Sequence, residues 1–224
     1  MLAPLVDSLL AVEGLDVERG GRLVLSGLSF ALSAGETLLV SGRNGAGKST
    51  LLRTLAGLLH PHAGAIRCGL ADEETRGVEA MHYLGYEDAL KPSLTVGENL
   101  AFWASMLGAP AKPPSPPSAV TFPRFAGRDL PPEAALAAYG IARLHDLPAA
   151  YLSAGQTRRV ALARLLLASR PIWLLDEPLI ALDAVAQERT VEIMAAHTRA
   201  GGAILVASHQ PLVNTTGRIE LDVA

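Results

Sequence analysis

The stretch SGRNGAGKSTLLRTLAGL, residues 41–58, limits more than any other what this chain can fold into. Gly42 is followed by four residues and then by Gly47-Lys48-Ser49, the full phosphate-loop pattern. The pattern has meaning only between a strand and a helix. ETLLV at 36–40 predicts a buried strand before it, and Leu51, Leu52, Leu55 and Leu58 carry helical spacing behind it. In that setting the glycines let successive backbone N–H groups face a bound phosphate, and the helix start adds its partial positive charge. Gly42, Asn44, Gly45, Ala46, Gly47 and Thr50 are the expected cradle. Lys48 is expected to reach the β- and γ-phosphates, and Ser49 to offer its hydroxyl to Mg²⁺. The alternative, a glycine-rich turn that binds nothing, would leave every fixed position filled by coincidence.

Composition narrows the partners. The chain has 224 residues, half of them hydrophobic but only 4% aromatic, so its core is aliphatic. A formal net charge of −3 gives no electrostatic case for nucleic acid as a partner. Cys68 is the only cysteine, which excludes an intrachain disulfide and fits a reducing compartment. The apolar N-terminus lacks a basic leader and is interrupted by Asp7 and Glu13, so no signal peptide is expected. No run of 18 apolar residues occurs, so any membrane contact is expected to come through another chain.

Along the chain, 8–13 and 22–32 predict antiparallel strands around Arg19-Gly20-Gly21, and AIRCG at 65–69 another strand. His60, His62 and Cys68 fit no zinc spacing, and a Pro-Gly turn accounts for them. Residues 71–81 read as a charged surface segment, and 82–88 as a strand running into a loop. Thr95 with Glu98 three residues on is a capping box for a helix with Leu100, Trp103, Ala104 and Leu107 on one face and Phe102 and Met106 on another. The proline density of 109–132 permits no regular element. Short helices are expected at 133–139 and 141–147, then an apolar helix capped by Ser153. IWLLDEP predicts a buried strand ending at Asp176-Glu177-Pro178, followed by a helix over 183–197, a buried strand over 203–211 and an edge strand over 218–223. Strand–helix alternation around a phosphate loop predicts an α/β fold with a mostly parallel sheet core.

Asp176, at the end of a continuously apolar strand, suits a Mg²⁺-linked carboxylate, and Glu177 beside it can orient or deprotonate an attacking water. No Asn-Lys-x-Asp tetrad occurs, which argues against guanine recognition. Ser153 and the N–H groups of Ala154 and Gly155 make a second anion site at a helix start.

Leu152-Ser153-Ala154-Gly155-Gln156 resembles the signature motif of ABC-transporter ATPases. With the phosphate loop, the Asp-Glu strand and Ser208-His209 in order, the resemblance covers nearly the whole chain. It implies a P-loop NTPase of ABC type, a single ATPase domain. Its parts would be a core over 1–86 and 170–224 with an N-terminal antiparallel β subdomain, and an inserted α-helical signature subdomain over 87–169. It implies ATP and Mg²⁺ as cofactors and a homodimer in which Ser153 to Gln156 of one copy close over the nucleotide of the other. His209 becomes the histidine that contacts the γ-phosphate. Three departures follow from the same resemblance. Glu87 stands where a Gln usually touches Mg²⁺ and reports to a membrane partner. Arg19 stands where an aromatic usually stacks on adenine, a place a guanidinium can fill. Ile180 replaces a Ser before Ala181-Leu182-Asp183, the loop that crosses the dimer interface.

Within that family, the extended signature through Leu165, Tyr83-Leu84-Gly85, Lys91, Leu94-Thr95, Glu98-Asn99-Leu100 and Ser208-His209-Gln210-Pro211 look like the ATPase subunit of the cytochrome c maturation system. That resemblance implies haem as the cargo, integral membrane permease subunits as partners, and a peripheral position on the cytoplasmic face of a bacterial inner membrane. Other cargo, or a slowly hydrolysing nucleotide-gated module, are the competing readings. ABC ATPases of DNA repair or translation would need coiled-coil insertions or tandem cassettes, and neither is present.

Overall fold

A computed structural model describes residues 8–69, 77–108, 129–210, 212 and 214–221. The described chain divides into two compact units. One takes the N-terminal residues through Gly85, Arg170–Glu177 and the residues from Gly201 on; the other takes Tyr86–Ser169 and Pro178–Ala200.

The first unit holds two sheets. β1 (Ser8–Arg19) pairs antiparallel with β2 (Arg22–Ser33) and, on its other side, with β4 (Ala63–Cys68). Irregularities in the β1–β2 register near Leu15 bend this ribbon. There the Asp16 carboxylate accepts the Gly27 N–H at 2.6 Å, and the Ser29 hydroxyl accepts that of Gly14 at 2.8 Å. The second sheet is wholly parallel, in the order β5 (Met81–Leu84), β6 (Ile172–Asp176), β7 (Ala203–Ala207), β3 (Thr37–Gly42), β8 (Gly217–Leu221). All residues of β6 and β7 are buried, as their unbroken apolar runs require of inner parallel strands. β8 alternates exposed with half-buried residues up to a buried Leu221, the pattern of an edge.

α1 (Lys48–Leu55) follows the phosphate loop and packs Leu51, Leu52 and Leu55 into one core with Leu10, Val40 and Leu174. The helix stops earlier than its leucine spacing predicts, and Leu58 is 60% exposed. Gly57 adopts φ 73°, and the Leu58 N–H reaches back to Arg53 O at 2.9 Å. That 6→1 bond closes the helix before Leu58 can join its buried face.

The second unit is helical. α2 (Val96–Met106) starts at the predicted capping box, with Thr95 Oγ1 accepting the Glu98 N–H at 3.1 Å and Glu98 Oε2 accepting that of Thr95 at 2.8 Å. Leu100 is fully buried, while Phe102 and Met106 are exposed. α3 (Pro132–Ala138) has proline at its first position, where no N–H is needed. The helix expected over 141–147 is only a 3₁₀ turn over Ala142–Leu144. Gly140 at φ 68° precedes it and Pro148 follows, and the bonds from Leu144 to Ile141 and from Leu147 to Leu144 span three residues, not four. α4 (Ala154–Ala163) and α5 (Ala184–Arg199) complete the unit. The proline-rich reading falls, over 109–128, outside the described residues, as do most of the charged segment 71–81, Pro211 and the last residues of the expected edge strand.

Leu174 is fully buried and lies in register between Tyr83 of β5 and Leu205 of β7. Leu174→Ala is expected to cost about 3 kcal/mol, read from urea unfolding midpoints.

Candidate functional site

β3 leaves its sheet at Gly42, whose φ is 143°. A Cβ there would collide with the carbonyl oxygen of Leu221 on β8. At Gly47, φ 97°, a Cβ would lie 2.8 Å from Leu25 Cδ2 and 3.0 Å from Val24 Cγ1 on β2. The loop is thus held between two strands at the positions that must be glycine. Gly47 is also the N-cap of α1 and offers no side-chain acceptor, so no side chain caps the first-turn N–H groups. Lys48, 8% exposed, donates from Nζ to Gly42 O at 2.7 Å and to Arg43 O at 3.1 Å, which lays its ammonium over the loop. Asn44 and Gly45 are exposed, Ala46 and Thr50 buried, and Ser49 half-buried. Bare helix N–H groups beneath a tethered ammonium fit a polyphosphate.

The parallel register brings the other residues to the same strand ends. Ala207 pairs with Val40 of β3 and with Asp176 of β6. Asp176 is 2% exposed. Glu177 turns out of β6 at φ 46°, a left-handed conformation costly for a side-chain-bearing residue, and its N–H donates to Ala207 O at 2.8 Å. Its carboxylate accepts the backbone N–H of His209 at 3.1 Å, and Oε1 lies 3.5 Å from His209 Nε2. A hydroxyl at Ser49 and a carboxylate at Asp176 are hard oxygen donors, the kind Mg²⁺ takes. Arg19 is exposed at the tip of the β1–β2 hairpin, in register with Arg22.

In the second unit, Ser153 caps α4. Its Oγ accepts the Gln156 N–H at 3.3 Å, while Gln156 Oε1 accepts the Ser153 N–H at 2.9 Å. Ser153 and Ala154 are exposed. Gly155 touches the loop after Pro178: a Cβ on it would come within 2.8 Å of Ala181 O. Ala181 itself has φ 61°. That loop is held from below by Gln187 Nε2, which donates to Leu182 O at 3.2 Å and Leu179 O at 3.4 Å, and Asp183 caps α5 through the Ala186 N–H at 2.8 Å. Ile180 is 41% exposed. Glu87 is exposed, next to Asp88, which pairs with Arg158 of α4.

Three features escaped sequence reasoning: the Asp88–Arg158 pair, the strained Glu177 backbone, and Asn99. Asn99, 3% exposed, accepts the Lys91 N–H at 2.7 Å and donates to Lys91 O at 3.1 Å and Thr95 O at 2.9 Å. A charged or amide residue at an inward helical position was the available signal in both Arg158 and Asn99.

The ABC transporter family model matches residues 25–180, and the chain belongs to that family as an ATP-binding, ATP-hydrolysing cassette. Among its relatives, the cytochrome c biogenesis ATP-binding export protein CcmA of Rhodopseudomonas palustris (strain BisB5) is 49% identical over 203 residues, covering 91% of this chain and 92% of the relative. CcmA of Agrobacterium fabrum is 46% identical over 206 residues, covering 91% and 90%. The solved structure of an ATP-binding subunit of an ABC transporter superposes with a TM-score of 0.79 at 27% identity, covering 96% of this chain and 86% of that one. A bacterial Atm1-family ABC exporter with ATP bound gives 0.76 at 25% identity, covering 99% and 38%.

Gly47→Ala forces a side chain into Val24 and Leu25 at a left-handed backbone. We expect about 1–3 kcal/mol of lost stability in thermal melts, together with loss of fluorescent-ATP binding.

Proposed function

We propose that this chain powers an exporter of cytochrome c biogenesis, with haem as the cargo. It would sit on the cytoplasmic face of a bacterial inner membrane, bound to integral membrane permease subunits. The relatives' shared name supports the process, and no helix among the described residues is long and apolar enough to cross a membrane. The observation that carries the catalytic reading is the double pairing of Ala207, with Val40 and with Asp176, which sets the phosphate loop, Asp176, Glu177 and His209 at one end of one sheet.

In this reading Lys48 exchanges its two carbonyl partners for phosphate oxygens, and the α1 N-terminus receives the β-phosphate. Ser49, Asp176 and Glu87 are the residues that would hold Mg²⁺, which when bound would offset charge on the phosphates. Glu177 takes a proton from, or orients, the attacking water. His209 holds Glu177 before nucleotide binds and the γ-phosphate afterwards. Arg19 stacks on the base. Ser153, Ala154, Gly155 and Gln156 of a second copy complete the site, so ATP closes a two-fold pair and hydrolysis opens it.

Glu87 favours a slower, nucleotide-gated variant of the same function, because a carboxylate adds negative charge beside a triphosphate.

Glu177→Gln is expected to trap an ATP-bound dimer, with the doubled mass on gel filtration in Mg-ATP. A profile that stays monomeric sinks the paired-site reading. Glu87→Gln is expected to preserve or raise ATP turnover in a phosphate-release assay, and a strong loss would show that the carboxylate itself is required.

A further inference from the structure

We propose that Arg158 is a positioning residue for ATP hydrolysis, joining the signature helix, the loop bearing Glu87 and the segment after Glu177 into one body. The proposal rests on the ATPase reading above and adds a residue that it does not use.

Arg158 lies on α4, five residues after Ser153, and its side chain is 1% exposed. Its neighbour Arg159 is half-buried and folds back on its own helix, donating from Nε to Gly155 O at 3.3 Å. Arg158 instead leaves the helix in two directions. Nη1 donates to Asp88 Oδ1 at 2.7 Å, and Nε donates to Pro178 O at 3.3 Å. Asp88 is the residue after Glu87, and Pro178 the residue after Glu177. One guanidinium therefore grips the neighbours of two acidic residues that the chemistry needs, from the helix whose start is the signature.

The energetics favour a mechanical role over a stabilising one. A charge this deeply buried is costly, and an ion pair replaced by apolar side chains is often no less stable. Shape is what the arginine contributes. Its planar fork presents donors in fixed directions, so Asp88 and Pro178 cannot move independently while both bonds hold. A lysine ammonium has the charge but not the span.

The second contact between signature and segment reinforces this. Gly155 lies against Ala181 O, so α4 meets the 178–183 segment at its first turn and again through Arg158 one turn later. Displacement of the Glu87 loop is thereby passed to α4 through an ion pair, and from α4 to the segment through two contacts.

Two mild substitutions and one severe one test it, in the full chain purified with the membrane subunits that accompany it. Asp88→Asn keeps the acceptor oxygen and removes the charge; Arg158→Lys keeps the charge and removes the fork; Arg158→Gln removes both. Asp88→Asn and Arg158→Lys are expected to lower kcat for ATP about tenfold while leaving KM and fluorescent-ATP affinity within about twofold. The Asp88→Asn, Arg158→Gln double variant is expected to be no slower than Arg158→Gln alone, the non-additivity of a shared contact. A purely structural arginine would lower the melting temperature and the folded yield without changing kcat per folded molecule. That result, or kcat within twofold of wild type in both mild variants, overturns the proposal. Wild-type protein without ATPase activity would sink the ATPase reading as well, whereas active wild type with unaltered variants sinks the Arg158 assignment alone.

Discussion

Everything in the P-loop unit depends on parallel pairing through β7. Ala207 is bonded in register on one side to the strand that ends in the phosphate loop and on the other to the strand that ends in Asp176. Parallel strands share a direction, so their carboxyl ends share an edge, and short-range loops then hold chemistry where the strands stop. Burial of β6 and β7 on both faces enforces the register, because a slip by one residue would exchange the side chains facing each layer. The placement of Glu177 and His209 is therefore a by-product of core packing several residues away.

Against that rigid frame, the loops carry the strain. Glu177 and Ala181 both hold positive φ without being glycine. Each is over-determined by its neighbours: Glu177 by bonds to Ala207 and His209, Ala181 by a segment fixed from Gln187 and Asp183. Strain kept in place by several bonds is a reservoir that a ligand can draw on when it rearranges those bonds. In the P-loop unit the bonds concerned include those between Glu177 and His209; in the helical unit they include those around Pro178.

Much of this was legible in the sequence. The glycine spacing, the capping box at Thr95, the N-cap at Ser153 and the apolar run before Asp176 each express local physics, and local physics shows in short windows. What lay hidden is non-local. The order β5-β6-β7-β3-β8 depends on pairings that no window contains. Leu58 matched the helical period, but Gly57 next to it ended the helix, a turn-level effect that overrides periodicity. Residues 141–147 had helix-like composition, yet between Gly140 and Pro148 the backbone closes bonds over three residues and not four, so only a 3₁₀ turn forms. Arg158 looked like one basic residue among several in a motif; only the fold shows that it points inward at Asp88.

The placement of β3 has a consequence for the life of the chain before it is finished. Its two sheet partners, β7 and β8, both lie far downstream of it, and the Thr37 N–H donates to Thr216 Oγ1 across 179 residues of sequence. Until those strands emerge, β3 has both edges unpaired and Gly42 lacks the Leu221 carbonyl that packs against it. Contacts this distant form late and slowly. Closure of the loop at Gly42 against Leu221 therefore waits on pairing with strands far downstream in the chain.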